Sequence, residues 1–319
     1  MNLPKIHSIS KKILVALVGS FLLLFLLFHA TANLFILRHD GGQWYSDFCH
    51  FMGTNWLVKI FEIVLLGVFL LHMALTLWLA ITNRLARPVR YHQPQRSQTH
   101  STSKLMVWTG ILIFACLILH FSDFYFVKLG WVKGQYMVKT EKLQSEQVAG
   151  LIEFSQQMNM SPEDLIDELE SEAMMHSEEN GDSEEVAEYI SNMRDQLGVI
   201  NIIRRAQAEG NISEDHKWIR HLTYEERQTL RRVMPESDPE PDFYYMAREK
   251  FHSLYLVVMY LLFFVVVFFH LRHAFPSAFQ TLGLNNYKYN GIIEVLGKIY
   301  TWLVCLMFAA VPILVYLGL

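Results

Sequence analysis

Five long apolar blocks constrain the fold of this chain more than any other feature. They cover roughly 13–37, 57–82, 104–128, 251–275 and 292–319, and each is longer than the run of about 18 apolar residues that indicates a membrane-spanning helix. A segment that crosses a membrane must satisfy all of its backbone polar groups internally. The sequence therefore predicts an all-α protein, a transmembrane bundle of five helices.

A secretory signal is the alternative interpretation of the first block. Lys11 and Lys12 precede it, and the small residues at 30–32 resemble a cleavage site. An ordinary signal has an apolar region of only about 7–15 residues. The length of the block therefore favours a spanning helix.

The distribution of basic residues predicts the orientation of the bundle. The first connection carries only Arg38, whereas the N-terminal segment and the second connection are rich in lysine and arginine. Basic residues favour the cytoplasmic side of a membrane. We therefore expect a cytoplasmic N-terminus and, after five spans, an extracytoplasmic C-terminus. The basic residues behind this prediction are Lys5, Lys11, Lys12, Arg84, Arg87, Arg90, Arg96 and Lys104.

The connection between the third and fourth blocks is acidic, and it divides the chain into 1–128, 129–250 and 251–319. Residues 137–250 hold 26 of the 31 acidic residues but only 12 of the 27 basic ones, a net charge of −14. We expect this segment to be a water-exposed, helical, extracytoplasmic insertion. Helix-start patterns follow Ser161 and Thr223, and 186–207 has helical apolar spacing. The segment 234–242 is rich in proline and predicts a break before the fourth span.

One histidine lies inside each of the first four spans, where an ionisable side chain is costly unless it faces the bundle interior or a cofactor. His29 and His120 each lie eight residues from the outer end of their span, a depth of about 12 Å at the helical rise. His72 and His270 lie about 15 Å and about 8 Å from the inner ends of theirs. The histidines therefore form an outer pair and an inner pair.

Two histidines that face each other at one depth can bind a haem iron from both sides. Two such pairs predict two stacked haems. The alternatives are histidines that hydrogen-bond to a neighbouring helix or form a proton relay. His252 and His273 compete for the ligand role, but they lie at the ends of the fourth span and are expected to be interfacial. Neither the three cysteines nor any other motif indicates zinc or covalently attached haem.

The spans resemble the di-haem cytochrome b subunit that anchors bacterial succinate:quinone oxidoreductases, namely succinate dehydrogenase and fumarate reductase. The resemblance covers all five spans. It rests on "KKILVALVGSFLLLFLLFHATANL", "HMALTLWLAITNRLARPVRY", "LHFSDFYF" and "HLRHAFPSAFQTLGLNN", and on Gly19 followed ten residues later by His29. It implies outer haem ligands at His29 and His120, and inner haem ligands at His72 and His270.

The sequence departs from the family pattern at three places, and each affects which family features the resemblance implies for this chain. Ala274 replaces a glycine that follows the fourth-span ligand, although Gly283 keeps a later one, and the choice of His270 over His273 stays open. Phe268 occupies the position of a glutamate that some members use for proton transfer. The long acidic segment has no counterpart in the family, so the resemblance implies nothing about its role.

The resemblance implies a membrane anchor in the bacterial cytoplasmic (inner) membrane that binds two haems b. It would pass electrons between an iron–sulfur subunit at the cytoplasmic face and quinone, with menaquinone favoured over ubiquinone. The chain has no flavin or iron–sulfur motif, so dicarboxylate chemistry would belong to a flavoprotein and an iron–sulfur partner. The alternatives are another quinone-linked di-haem cytochrome b and a haem-free membrane transporter or sensor.

Six further residues are candidates for roles around the haems. Arg84, Arg87, Arg90 and Arg272 lie at the inner ends of the spans that carry the inner pair, where guanidinium groups can bind haem propionates. Glu62 and Asp123 lie near the outer surface and are candidate proton-transfer groups at a quinone site. The ordinary role of such arginines is to set the topology of the spans. The ordinary role of such carboxylates is to form hydrogen bonds at the membrane interface.

Overall fold

The computed structural model describes residues 8–86, 101–143, 183–209 and 217–319, together with single positions between 153 and 175. The chain divides into two compact units, a membrane unit of residues 1–121 and 247–319 and a second unit of residues 122–246. Five helices are long and apolar enough to cross a membrane. The predicted fold class, an all-α bundle with five spans, is therefore confirmed.

The five spans agree with the predicted blocks to within a few residues. A short helix, Gln43–Thr54, follows span 1, and span 3 continues through a π-helical turn at Phe121–Tyr125 to Lys128. Asn55 caps span 2, because its side-chain oxygen accepts hydrogen bonds from the backbone amides of Leu57 and Val58. The helices that form the spans are Ser8–Leu34 (span 1), Trp56–Leu85 (span 2), Ser101–His120 (span 3), Leu254–Thr281 (span 4) and Asn290–Tyr316 (span 5).

Spans 1, 4 and 5 form the core of the membrane unit. The Tyr300 hydroxyl of span 5 donates a hydrogen bond to the Leu23 carbonyl of span 1 at 2.6 Å. Spans 4 and 5 approach so closely that a Cβ atom added at Gly297 would lie 3.0 Å from the Phe275 ring. The buried residues of this core are Leu23, Ala30, Val267, Leu271, Val304 and Cys305.

Span 2 lies at the edge of the described membrane unit. None of its side chains is buried. It contacts span 1 through the rings of Phe21 and Phe61, whose centroids are 5.6 Å apart, and through Lys11, whose ammonium lies 4.5 Å from the Trp78 ring. Its outer face exposes many large apolar side chains, a surface that requires an apolar solvent. This is expected of a helix that faces lipid.

The second unit contains a three-stranded antiparallel sheet that the sequence analysis did not predict. The strands are β1 (Tyr136–Lys139), β2 (Trp218–Leu222) and β3 (Glu240–Pro241), in the order β2-β1-β3. Tyr136 pairs with Leu222 on one side and with Pro241 on the other. The predicted break at 234–242 therefore contains an edge strand as well as a 3-10 turn.

Two helices of the second unit agree with the sequence prediction. The helix Ser183–Ala208 covers the segment with helical apolar spacing, and it buries Val199, Ile202 and Ile203 in the core of the unit. The helix Tyr224–Val233 begins with the predicted capping box of Thr223 and Glu226. The helix start predicted after Ser161 lies outside the described residues.

Candidate functional site

The structure brings together the two histidines that were predicted to share the outer level. His29 of span 1 and His120 of span 3 have ring centroids 6.0 Å apart, and the ring planes are inclined at 80°. Aromatic side chains surround this outer pair. Phe25 stacks on His29 at 5.3 Å, Phe308 lies 5.8 Å from the same ring, and Tyr260 lies 6.3 Å from His120. The two imidazoles therefore lie next to each other, edge to face, among aromatic side chains.

A short hydrogen-bonded chain leads from the outer pair to the helix Gln43–Thr54. The amide nitrogen of Asn33 donates to the His29 carbonyl at 2.8 Å and lies 3.4 Å from both ring nitrogens of His29. The Tyr45 hydroxyl donates to the Asn33 Oδ1 atom at 3.1 Å. Burial, and then the neighbouring Cys49 thiol, raise the pKa of Tyr45 well above its ordinary value. Burial therefore favours the protonated phenol, which is the form that donates this hydrogen bond.

The two histidines that were predicted to share the inner level lie on spans 2 and 4. His270 of span 4 lies within electrostatic range of both His72 of span 2 and His273 of its own helix. A Cβ atom added at Gly19 would lie 3.7 Å from the His72 Cε1 atom, and one added at Gly110 would lie 3.8 Å from the His270 Cε1 atom. Gly19 of span 1 therefore lies next to the His72 ring, and Gly110 of span 3 lies next to the His270 ring.

Gly110 is a site residue that the sequence analysis missed. It precedes His120 by ten residues, the same spacing that separates Gly19 from His29. Spans 1 and 3 therefore each carry a glycine at the inner level and a histidine at the outer level. The repeated ten-residue spacing was the sequence signal that could have identified Gly110. Its meaning is clear only from the structure, where each glycine lies next to a histidine of another span.

The hydrogen bonding of the two inner histidines differs. The Nδ1 atom of His270 lies 3.1 Å from the Thr109 hydroxyl oxygen of span 3. The Nδ1 atom of His72 is buried and has no hydrogen-bond partner among the described residues. A buried polar atom without a partner costs about 1–3 kcal/mol. The Nδ1 atom of His72 is therefore still able to form a hydrogen bond or to bind a ligand.

The remaining predicted site residues belong to neither histidine pair. Arg84 is exposed in the last turn of span 2, and Arg87 lies outside the described residues. Glu62 is half-buried in span 2. Asp123 lies in the π-helical turn that follows His120, and such turns are frequent at functional sites.

Comparison of the chain with protein-family models, with curated proteins and with solved structures found no significant match. The functional assignment of the two histidine pairs therefore depends on their residues and geometry.

Proposed function

We propose that this chain is the membrane-anchor subunit of a succinate:quinone oxidoreductase, and that it binds two haems b through its outer and inner histidine pairs. It links an iron–sulfur subunit to quinone, whereas dicarboxylate chemistry belongs to partner subunits. The observation that supports the proposal is the close approach of His29 of span 1 and His120 of span 3, and His72 and His270 of two further spans are within electrostatic range of each other.

The spacing of the outer pair fits two ligands on opposite sides of one metal. An imidazole nitrogen binds a metal at about 2.0 Å, and the ring centroid lies about 1.1 Å behind that nitrogen, so two opposed rings have centroids about 6 Å apart. The centroids of His29 and His120 are 6.0 Å apart. The inclination of the planes does not affect this distance, because each ring can rotate about its own metal–nitrogen axis.

The donor set also fits haem. In the part of the chain that the structure describes, no group of three or more His, Cys, Asp or Glu side chains is placed to hold a metal ion. A pair of histidines suits an iron whose four equatorial ligands come from a macrocycle. Bound haem would supply one-electron oxidation and reduction. Because both imidazoles would hold the haem iron, the site would favour electron transfer over binding of oxygen.

The residues around the pairs match this role. Phe25, Phe308 and Tyr260 enclose the outer imidazoles and limit the access of water, a condition that controls the redox potential of a bound metal. The buried, unpartnered Nδ1 atom of His72 gives the inner level a group that a cofactor would satisfy. The basic connections support an orientation in the bacterial cytoplasmic membrane with the N-terminus and the iron–sulfur partner on the cytoplasmic side.

A reduced-minus-oxidised absorption spectrum of the purified full chain tests this proposal. We expect the bands of low-spin haem b and a stoichiometry of two haems per chain by pyridine haemochrome assay. A flavoprotein and an iron–sulfur protein should copurify with the chain from its native membrane. A flat spectrum would contradict the proposal and favour a haem-free transporter or sensor.

Quinone-linked turnover tests the two candidate proton-transfer carboxylates. A positioned acid or base contributes at least about 10²-fold to the rate of a proton-coupled step, so we expect Glu62→Gln to lower turnover by about that factor. Asp123→Asn is the second candidate. Both variants should retain two haems, because neither residue belongs to a histidine pair. Asp47→Asn, in the helix Gln43–Thr54, is the control. Normal turnover in both test variants would reject these two carboxylates.

A further inference from the structure

We infer that Thr109 is a positioning residue for the inner haem, because it holds His270 in the tautomer that leaves Nε2 free to bind iron. The inference rests on the proposed function. It starts from one contact between spans 3 and 4, in which the Thr109 hydroxyl oxygen lies 3.1 Å from the Nδ1 atom of His270. No part of the sequence analysis assigned a role to Thr109.

The direction of this hydrogen bond follows from the other partners of the hydroxyl. The Thr109 oxygen lies 3.1 Å from the carbonyl oxygens of both Leu105 and Met106 in its own helix. A hydroxyl has one hydrogen to donate and two lone pairs that accept. Because the backbone carbonyls can only accept, a hydroxyl that donates to one of them keeps lone pairs free, and we assign the His270 Nδ1–H group as the donor to the Thr109 oxygen.

The tautomer of His270 follows from that direction. A neutral imidazole carries one N–H group, and the hydrogen bond to Thr109 requires it to be on Nδ1. The Nε2 atom then keeps its lone pair, which is the form that binds a metal. This tautomer suits His270 to the role of the fourth-span ligand.

Thr109 is well placed to hold the ring in one orientation. Its side chain is buried, with 8% exposed, and a β-branched side chain in a helix has few accessible rotamers. The adjacent Gly110 also lies next to the ring, since a Cβ atom added there would be 3.8 Å from the His270 Cε1 atom. Thr109 and Gly110 therefore both lie next to the His270 ring and hold it in place. The Nδ1 atom of His72, in contrast, has no hydrogen-bond partner among the described residues.

The hydrogen bond also affects the electron donation of the ligand. An acceptor on the Nδ1–H group makes the imidazole more basic and a stronger donor through Nε2. A stronger donor stabilises ferric iron more than ferrous iron. Removal of the acceptor should therefore raise the midpoint potential of the inner haem.

Redox titration of the full chain, followed at the haem absorption bands, tests the role of Thr109. We expect Thr109→Val to lower the ratio of oxidised to reduced inner haem about tenfold at a fixed ambient potential, an upward shift of about 59 mV for a one-electron couple. Thr109→Ser keeps the acceptor and should keep the wild-type potential. The haem whose midpoint potential shifts in Thr109→Val should be the same haem that is missing from the His270→Ala protein.

Thr301→Val is the matched control. Thr301 is a fully buried threonine of span 5 whose hydroxyl donates to the Gly297 carbonyl at 2.7 Å. The Thr301→Val substitution should leave the midpoint potentials of both haems unchanged. Thr109→Ala, which removes the same acceptor with a smaller side chain, replaces Thr109→Val if the valine protein does not fold.

The outcomes separate this inference from the function on which it rests. Loss or upward shift of the inner haem in Thr109→Val, with the wild-type behaviour in Thr109→Ser and Thr301→Val, supports the inference. Two haems with unchanged potentials in Thr109→Val overturn it and leave the proposed function intact. An equal shift in Thr301→Val also overturns it. A wild-type chain without haem rejects the proposed function itself.

Discussion

Alanine in place of either outer histidine, His29 or His120, should remove one of the two haems, and alanine in place of His72 or His270 should remove the other. Each substitution deletes one axial ligand, and the opposing imidazole alone cannot fill both faces of the iron. Since the pairs lie at separate levels of the bundle, the loss should be selective. The measurement is haem content, which should fall from two per chain to one, with a different spectral component missing in the two sets of variants.

His252→Ala is the matched control for this series, because His252 is exposed at the break before span 4. It should retain two haems. Loss of both haems from all four single variants would contradict the pairing. Retention of both in His270→Ala would instead move the fourth-span ligand to His273, which is half-buried one helical turn away.

The second large effect is expected in the second unit, where Arg220→Ala should destabilise the fold by about 3–5 kcal/mol. One Arg220 nitrogen lies 2.8 Å from both carboxylate oxygens of Asp242. The Asp242 side chain is fully buried, and it also accepts a hydrogen bond from the Tyr245 amide at 3.0 Å. Without Arg220 the buried carboxylate keeps its desolvation cost and loses the charge that offsets it.

Hydrogen exchange of the full chain in detergent measures this effect. Amides of β1 and β2 should exchange at least about 10²-fold faster in Arg220→Ala, since 1.4 kcal/mol corresponds to a factor of ten. Arg231→Ala is the control. Its ion pair with Asp238 is long, at 3.3 Å, and both side chains are substantially exposed, so the expected loss is below about 1 kcal/mol. Similar amide exchange rates in the two variants would show that burial of the Arg220–Asp242 ion pair does not increase its contribution to stability.

The second unit illustrates what a local pattern can predict. The capping box at Thr223 and Glu226 and the helix Ser183–Ala208 were predictable, because caps and helical apolar spacing involve residues within a few positions of each other. The sheet was not predictable. Its strands have four, five and two residues, and the pairing of Tyr136 with Leu222 joins distant parts of the chain. Such short strands show no clear alternation of apolar and polar residues.

The sequence by itself determined the five spans, and it predicted two histidine levels, because apolar length and the constant rise of a helix give depth without any tertiary information. Depth does not give rotation about the helix axis. Only the tertiary structure decided that the rings of His29 and His120 lie 6.0 Å apart, and that Thr109 meets Nδ1 of His270. These contacts depend on how neighbouring spans pack, and the direction of a side chain across a helix interface is set by the packed partners rather than by its position along its own helix.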